Sequence, residues 1–152
     1  MRFTSFGWLL VLGGVFLCAA VAKGQTTTSP KSSLTTLLKA SRWQKRVLLL
    51  CAPTATDADL LRQRQLLAPA RADLDARDLL VQEVLFNQLS PADKKYLTEN
   101  LRVSTTGFTA LLIGKDGGAK RRETEPVAPA SLFSTIDVMP MRQQEMRQAK
   151  RQ

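Results

Sequence analysis

Residues 108–118 read FTALLIGKDGG, and this stretch decides the fold that the sequence predicts. Residues 108–113 are mostly apolar and predict a strand, and Asp116-Gly117 is the dipeptide that a type I′ hairpin turn prefers. We therefore expect residues 118–122 to return antiparallel as an edge strand. The segment KRR at residues 120–122 is typical of an edge that resists further pairing.

A helix is predicted after this hairpin, in the segment LFSTIDVMPMRQQEM at residues 132–146. Leu132, Phe133 and Ile136 are spaced so that they fall on one face of a helix. Pro140 cannot continue that helix, because its ring clashes with the preceding turn. We therefore expect the chain to kink there and to begin a second, basic helical stretch.

The first core strand is predicted at residues 46–51, which read RVLLLC and are apolar on both faces. Such a strand is typical of the centre of a sheet that helices cover on both sides. Ala52-Pro53 ends the strand. A helix is predicted to begin near residues 56–59, where Thr56 or Asp57 can cap the free N–H groups of the first turn.

Pro69 is expected to bend or end this first long helix. Its buried stripe is predicted to consist of Leu60, Leu61 and Leu67. A second strand is predicted at residues 79–86, and Ser90-Pro91 is a strong start signal for the helix that follows it.

Leu34, Leu37 and Leu38 have the spacing of a short amphipathic helix before the first strand. The predicted order of elements is therefore α β α β α β β α. This order predicts an α/β fold, with a thioredoxin-like mixed sheet of about four strands flanked by helices. We place this domain at residues 37–141 and a basic C-terminal helix or tail at residues 142–152.

Residues 1–22 contain an apolar run that ends in Ala20-Val21-Ala22, a pattern of small residues that a signal peptidase recognises. We predict a signal peptide at residues 1–22, with cleavage after Ala22 or Gly24, and a disordered spacer at residues 23–36. The protein is therefore expected to be secreted or periplasmic, without a membrane span once the signal is removed.

The composition excludes several kinds of chemistry. The 152 residues include no histidine, so mechanisms that need a histidine base or a histidine metal ligand are excluded. Of the 2 cysteines, Cys18 leaves with the predicted signal peptide, and Cys51 alone cannot form an internal disulfide. We predict no metal site and no cofactor.

Residues 46–53, 108–117 and 136–146 together resemble the DUDES domain, a thioredoxin-like domain of unknown function. That domain occurs as a small secreted bacterial protein and within vertebrate extracellular proteins of the sushi-repeat and coiled-coil-domain-containing types. The resemblance covers roughly residues 40 to 147, and its most specific part is DVMPMR at residues 137–142. It implies a thioredoxin-like fold and export, and it names no activity.

A redox-active thioredoxin carries Ala-Pro-x-Cys-x-x-Cys after its first core strand, but here Ala55 and Ala58 stand at the two cysteine positions. Phe108-Thr109 stands where thioredoxin has a proline beside its active site. Dithiol exchange by that motif is therefore excluded. Cys51 is the candidate for a remaining redox reaction, and we interpret it as a packing residue because it lies in an apolar strand.

The net charge of +9 raises the question of an anionic partner. Arg121, Arg142 and Arg147 are candidate binding residues for such a partner, and Arg142 has the alternative of pairing with Asp137, which we favour. Nucleic acid is not expected, because no aromatic residue interleaves with the basic clusters at residues 120–122 and 142–151.

The predicted function is that of an exported, non-catalytic domain that binds a protein or an anionic envelope or extracellular component. One alternative is an oxidoreductase or antioxidant protein that uses Cys51, which rests on the fold alone. The other alternative is a structural component of the envelope or matrix.

Overall fold

The computed structural model describes residues 33–151. The predicted signal peptide and the cleavage position lie outside the described residues, as does most of the predicted spacer. Helix α1 spans Leu34–Ser41 and thus begins before residue 37, where the sequence placed the start of the domain. Ser33 caps it by accepting a hydrogen bond from the backbone N–H of Thr36.

The remaining elements follow the predicted order. They are β1 (Arg46–Ala52), α2 (Ala58–Leu67), α3 (Arg71–Asp75), β2 (Leu79–Leu85), α4 (Pro91–Glu99), β3 (Thr109–Ile113), β4 (Ala119–Glu123), α5 (Pro129–Asp137) and α6 (Pro140–Ala149). A short 3-10 turn around Pro69 separates α2 from α3, as expected for a proline that interrupts a helix. Pro140 is the first residue of α6, which confirms the predicted kink.

The four strands form one mixed sheet in the order β2-β1-β3-β4. Strand β1 pairs parallel with β2 and antiparallel with β3, and β4 pairs antiparallel with β3. The starts of β1 and β2 and the end of β3 therefore lie at one pole of the sheet. The loop that follows β1 lies at the opposite pole.

Strand β1 is buried along its whole length, which confirms its predicted central position. Leu48 and Leu50 face a core layer that α2, α3 and α5 complete. Leu49 and Cys51 face a second core layer, which includes residues of α1 and α4. Burial of large apolar side chains on both faces is the main source of stability for such a sheet.

The two predicted helix starts are confirmed. Asp57 caps α2 by accepting hydrogen bonds from the N–H groups of Asp59 and Leu60. Ser90 caps α4, and Asp93 of that helix in turn accepts a 3.0 Å hydrogen bond from the backbone of Leu34. That contact fixes the beginning of α1 against the beginning of α4.

The buried stripe of α2 differs from the prediction at one position. Leu61 is 42% exposed, whereas Gln63 is fully buried. The Gln63 side chain donates a 2.9 Å hydrogen bond to the carbonyl of Val127 and accepts a 2.6 Å hydrogen bond from the backbone N–H of Val127. Because its donor and its acceptor are both satisfied, this amide is buried without a large penalty.

The predicted type I′ turn between β3 and β4 is wrong. Gly117 has a φ of +83°, but Asp116 does not have a positive φ, and a type I′ turn needs one at both central residues. Gly117 donates to the carbonyl of Gly114, and Gly114 donates to the carbonyl of Gly118. The loop is therefore a type I turn followed by a left-handed glycine, which agrees with the irregular register between Leu112 and Ile113.

The two edges of the sheet differ in protection. Strand β4 carries Lys120, Arg121 and Arg122, as predicted for a protected edge. The other edge, β2, has few charges, and a groove of about 670 Å³ runs along it between the strand and the α2–α3 region. Residues 79–83 all line this groove, so it follows the edge of the strand itself.

None of the helices in residues 33–151 has the length and apolar character that a membrane span requires.

Candidate functional site

The loop after β1 holds the positions where a redox-active thioredoxin keeps its thiols. Ala55 lies in this loop, and Ala58 is the first residue of α2. The exposed hydroxyl groups of Thr54 and Thr56 lie 3.1 Å apart, and the carboxylate of Asp57 caps the helix. Thiol exchange requires a thiolate, and residues 53–57 contain no cysteine, so this loop has no group suited to it.

Cys51 is a free cysteine that lies near the carboxyl end of β1 and is completely buried. Its register partners are Val84 on β2 and Thr109 on β3. Burial raises the pKa of the Cys51 thiol to about 12. The reactive thiolate is therefore almost absent at neutral pH, and oxidants have no direct access to the sulfur.

The opposite pole of the sheet carries a group of ion pairs, which we call the basal network: Arg46, Arg77, Asp78, Lys115, Asp137, Arg142 and Glu145. Glu145 of α6 is central to it. The guanidinium of Arg46 donates to both carboxylate oxygens of Glu145, at 3.2 and 3.1 Å, and Lys115 Nζ lies 2.7 Å from Glu145 Oε1. The Arg46 side chain is only 1% exposed.

The carboxylates of the basal network titrate below their ordinary range. Burial alone would raise the pKa of Glu145, but hydrogen bonds from Arg46 and Lys115 outweigh it and lower that pKa. Hydrogen bonds from Lys115 and then from Lys45 lower the pKa of Asp78. These groups therefore stay ionised well into the acid range.

Asp137 joins α5 and α6 to the rest of the network. Its closest partner is Arg77, whose Nη2 lies 2.8 Å from Asp137 Oδ2, and Arg142 Nε lies 3.3 Å from the other oxygen. The hydrogen bond from Arg77 is the first cause of the lowered pKa of Asp137. The pairing of Arg142 with Asp137 is thus present, but Asp137 is shared with Arg77.

The three predicted anion-binding residues lie in different surroundings. Arg121 is held by Glu123 of its own strand at 2.8 Å and by Ser131 and Thr135 of α5. Arg142 belongs to the basal network. Arg147 is exposed on α6 and makes no ion pair within the described part of the chain. Within residues 33–151 these three arginines share no acceptor, and anion binding by them stays a prediction.

The predicted basic tail is a docked helix over most of its length. Residues 140–149 form α6, and Glu145 attaches that helix to β1 and to the β3–β4 turn. Glu145, the single acidic residue in this basic segment, binds it to two buried cations, and Arg142 adds a contact with Asp137. A tail assignment from charge alone does not foresee such a contact.

One surface was missed by the sequence reasoning. Residues 39–45 read KASRWQK, and Lys39, Arg42, Trp43 and Lys45 are exposed there; we call these four residues the Trp43 surface. Trp43 is 61% exposed. The signal that could have found it is a tryptophan between basic residues just after a short helix, a third basic cluster that does contain an aromatic residue.

Comparison with known proteins gives both a family and a fold. The family described as "Domain of unknown function (DUF4174)" matches residues 37–145. The human sushi repeat-containing protein SRPX is 30% identical over 114 residues, which are 68% of this chain and 25% of that protein. The mouse protein of the same name is 29% identical over the same length. The chain thus spans about a quarter of these curated relatives.

The reduced 2-Cys peroxiredoxin of Plasmodium vivax has a similar structure, with a TM-score of 0.54 and 13% sequence identity. The match covers 70% of this chain and 84% of the peroxiredoxin. At this identity the likeness concerns the fold alone, and it confirms the predicted thioredoxin-like architecture. The resemblance drawn from the sequence motifs is also confirmed, by the family match and by the sushi-repeat relatives.

Proposed function

The chain belongs to the DUF4174 family of domains of unknown function, and from this premise we propose that it is an exported, non-catalytic thioredoxin-like domain that acts by binding. Its partner is a protein or an anionic component of the envelope or extracellular space. One observation carries the proposal: the pole where thioredoxins do their chemistry has Ala55 and Ala58 in place of thiols.

The state of Cys51 supports the non-catalytic part of the proposal. Thiol exchange and peroxide reduction both need an accessible thiolate. The Cys51 thiol is fully buried, and burial raises its pKa to about 12. A second thiol that could resolve an oxidised intermediate is missing from the described residues, where Cys51 is the free cysteine.

Two further observations support export and binding. The apolar N-terminal run with its Ala20-Val21-Ala22 pattern is typical of a signal peptide. The matched relatives are sushi repeat-containing proteins in which the region similar to this chain is 25% of the length. In such a protein this domain is one module among others, and modules of that kind commonly act through their surfaces.

The test is a redox assay on the chain that begins at Gln25, with a dithiol thioredoxin as the positive control. We expect the wild-type chain and the Cys51→Ser variant to leave both insulin disulfides and hydrogen peroxide unchanged, as buffer does. If the wild-type chain reduced either substrate and Cys51→Ser did not, the oxidoreductase alternative would replace this proposal. Sequencing the N-terminus of the protein recovered from every cell fraction tests export by a cleavable signal, because an intact Met1 end fixed in the membrane contradicts it.

A further inference from the structure

Trp43 occupies a strained position that keeps its indole in solvent. Its φ is +67°, a left-handed conformation that bulky side chains rarely adopt, and its side chain is 61% exposed. The backbone N–H of Trp43 donates a 2.7 Å hydrogen bond to the carbonyl of Lys115 in the β3–β4 turn. Strain that persists at an exposed aromatic residue points to a role for the ring.

Arg42 is fixed beside this ring without a carboxylate partner. Its guanidinium carbon lies 5.3 Å from the centroid of the Trp43 ring. The Arg42 side chain also packs against Gly117: its Cδ and Nε each lie 3.7 Å from the position that a Cβ atom would take on that glycine. None of the ion pairs in residues 33–151 involves Arg42, so packing holds this cation while its charge stays available.

A groove of about 440 Å³ opens beside Arg42, between the end of α1 and the β3–β4 turn. Gly114, Gly117 and Gly118 line it and present backbone without side chains. Its other charges are largely neutralised, because Lys45 pairs with Asp78 at 3.0 Å and Asp116 pairs with Lys120 at 2.6 Å. Lys39, which also lines the groove, is exposed and unpaired within the described residues. The uncompensated charge of the groove is therefore positive.

We propose that Lys39, Arg42 and Trp43 form a binding site for a carboxylated polysaccharide, a polymer of the uronate class. This inference rests on the proposed binding function and names the ligand. The guanidinium of Arg42 takes one carboxylate through two parallel N–H···O bonds, a geometry that suits carboxylates. The apolar C–H face of a neighbouring sugar ring packs against the exposed indole, and Lys39 meets the charge of a further sugar.

Two other anionic partners fit this surface less well. An acidic peptide supplies carboxylates but not the flat apolar rings that an exposed indole favours. Single-stranded nucleic acid supplies rings, but it is usually held by a series of aromatic side chains along a basic groove. Trp43 is the exposed aromatic residue beside this short groove, because Tyr96, which lines the groove, is half-buried against the core. This arrangement matches one or two sugars of a repeating polymer.

The experiment titrates the chain that begins at Gln25 with oligomers of galacturonate, by isothermal titration calorimetry at low salt. The full sequence has 2 tryptophans, and the chain that begins at Gln25 lacks Trp8. The tryptophan fluorescence of that chain therefore comes from Trp43 and reports binding at the site directly. We compare the wild type with Arg42→Gln and Trp43→Gly. Glycine adopts positive φ without strain, so Trp43→Gly removes the ring while keeping the fold, which a melting curve checks. Arg62→Gln is the matched control, because it removes an exposed charge from α2, away from the groove.

We expect Arg42→Gln and Trp43→Gly to weaken binding by about tenfold or more, and Arg62→Gln to stay within about twofold of wild type. Neutral dextran should not bind. Absence of binding to wild type overturns the proposal, as does an equal loss in Arg42→Gln and Arg62→Gln, which would show diffuse charge attraction. Equal or tighter binding of polyglutamate, single-stranded DNA or anionic vesicles overturns the ligand class. A failure of the proposed non-catalytic function would appear only in the redox assay. The binding titration therefore tests the ligand class separately.

Discussion

Cys51 acts as a small apolar side chain in the centre of the sheet. The Cys51→Ser variant should fold and lose about 1–2 kcal/mol of unfolding free energy, because a hydroxyl group is then buried in an apolar strand. Urea denaturation of both proteins measures the difference. In the native wild-type chain, a thiol reagent should modify Cys51 no faster than the sheet opens, since burial raises the pKa of the thiol to about 12. Rapid modification of the folded protein would contradict this account.

Gly117 is required by its backbone conformation. Its φ of +83° is costly for a residue with a Cβ, yet the nearest atom to an added Cβ is 3.7 Å away, which is ordinary contact. Gly117→Ala should therefore lose about 1 kcal/mol through backbone strain and not through a clash. Gly107→Ala is the matched control, because an added Cβ meets nothing within 4 Å there. Thermal melting of the two variants gives the comparison, and equal melting temperatures would refute the strain argument.

At the scale of elements, Asp137 and Arg142 connect the end of α5 to the beginning of α6. We expect Asp137→Asn to destabilise the protein more than Arg142→Ala, because Asp137 also pairs with Arg77 at 2.8 Å. The double variant should lose less than the sum of the single losses, with a coupling of about 0.5–1 kcal/mol. Urea denaturation of the four proteins completes the cycle. Additive losses would mean that the 3.3 Å contact of Arg142 with Asp137 contributes nothing.

The elements were largely predictable from the sequence because their signals are local. Apolar runs, Asp57 and Ser90 as caps, and proline at residues 69 and 140 act within a few residues of the chain. The type of the turn between β3 and β4 was not predictable, because it depends on the register shift between the two strands. The burial of Gln63 also follows from a distant partner, Val127, which no local pattern reveals.

The candidate site was predictable in part. The missing thiols at Ala55 and Ala58 can be read directly from the sequence. The burial of Arg46 cannot, because its partner Glu145 lies far along the chain in a segment whose composition indicates a solvated tail. The exposure of Trp43 also depends on a distant contact, its hydrogen bond to Lys115.

For the whole molecule, the basal network makes stability depend on acid pH. The pKa values of Asp78, Asp137 and Glu145 are lowered in the folded protein. The unfolded chain therefore binds more protons than the folded one once the pH approaches about 4, the ordinary carboxyl pKa. The stabilisation is complete above that pH and is lost as the pH falls through the lowered values.

The Glu145→Gln variant tests this dependence, because it leaves the buried Arg46 without its carboxylate. At neutral pH it should lose about 3 kcal/mol of unfolding free energy relative to wild type. The difference should shrink as urea denaturation is repeated from about pH 7 down to about pH 2.5, since wild-type Glu145 then becomes neutral too. A constant difference across that range would exclude Glu145 as a source of the acid sensitivity. Gln144→Ala, at an exposed neighbouring position of α6, is the control.

The groove along β2 has a practical consequence for concentrated solutions of this protein. A strand of 7 residues with an open edge and Leu80 38% exposed can serve as a template on which other molecules stack and form insoluble fibrils. The Leu80→Lys variant should show a slower rise of light scattering during storage, while its melting temperature changes little. Leu61→Lys, which alters an equally exposed leucine away from the strand, should not slow it. The shelf life of the purified protein is thus expected to depend on the Leu80 side chain, at the less charged edge of the sheet.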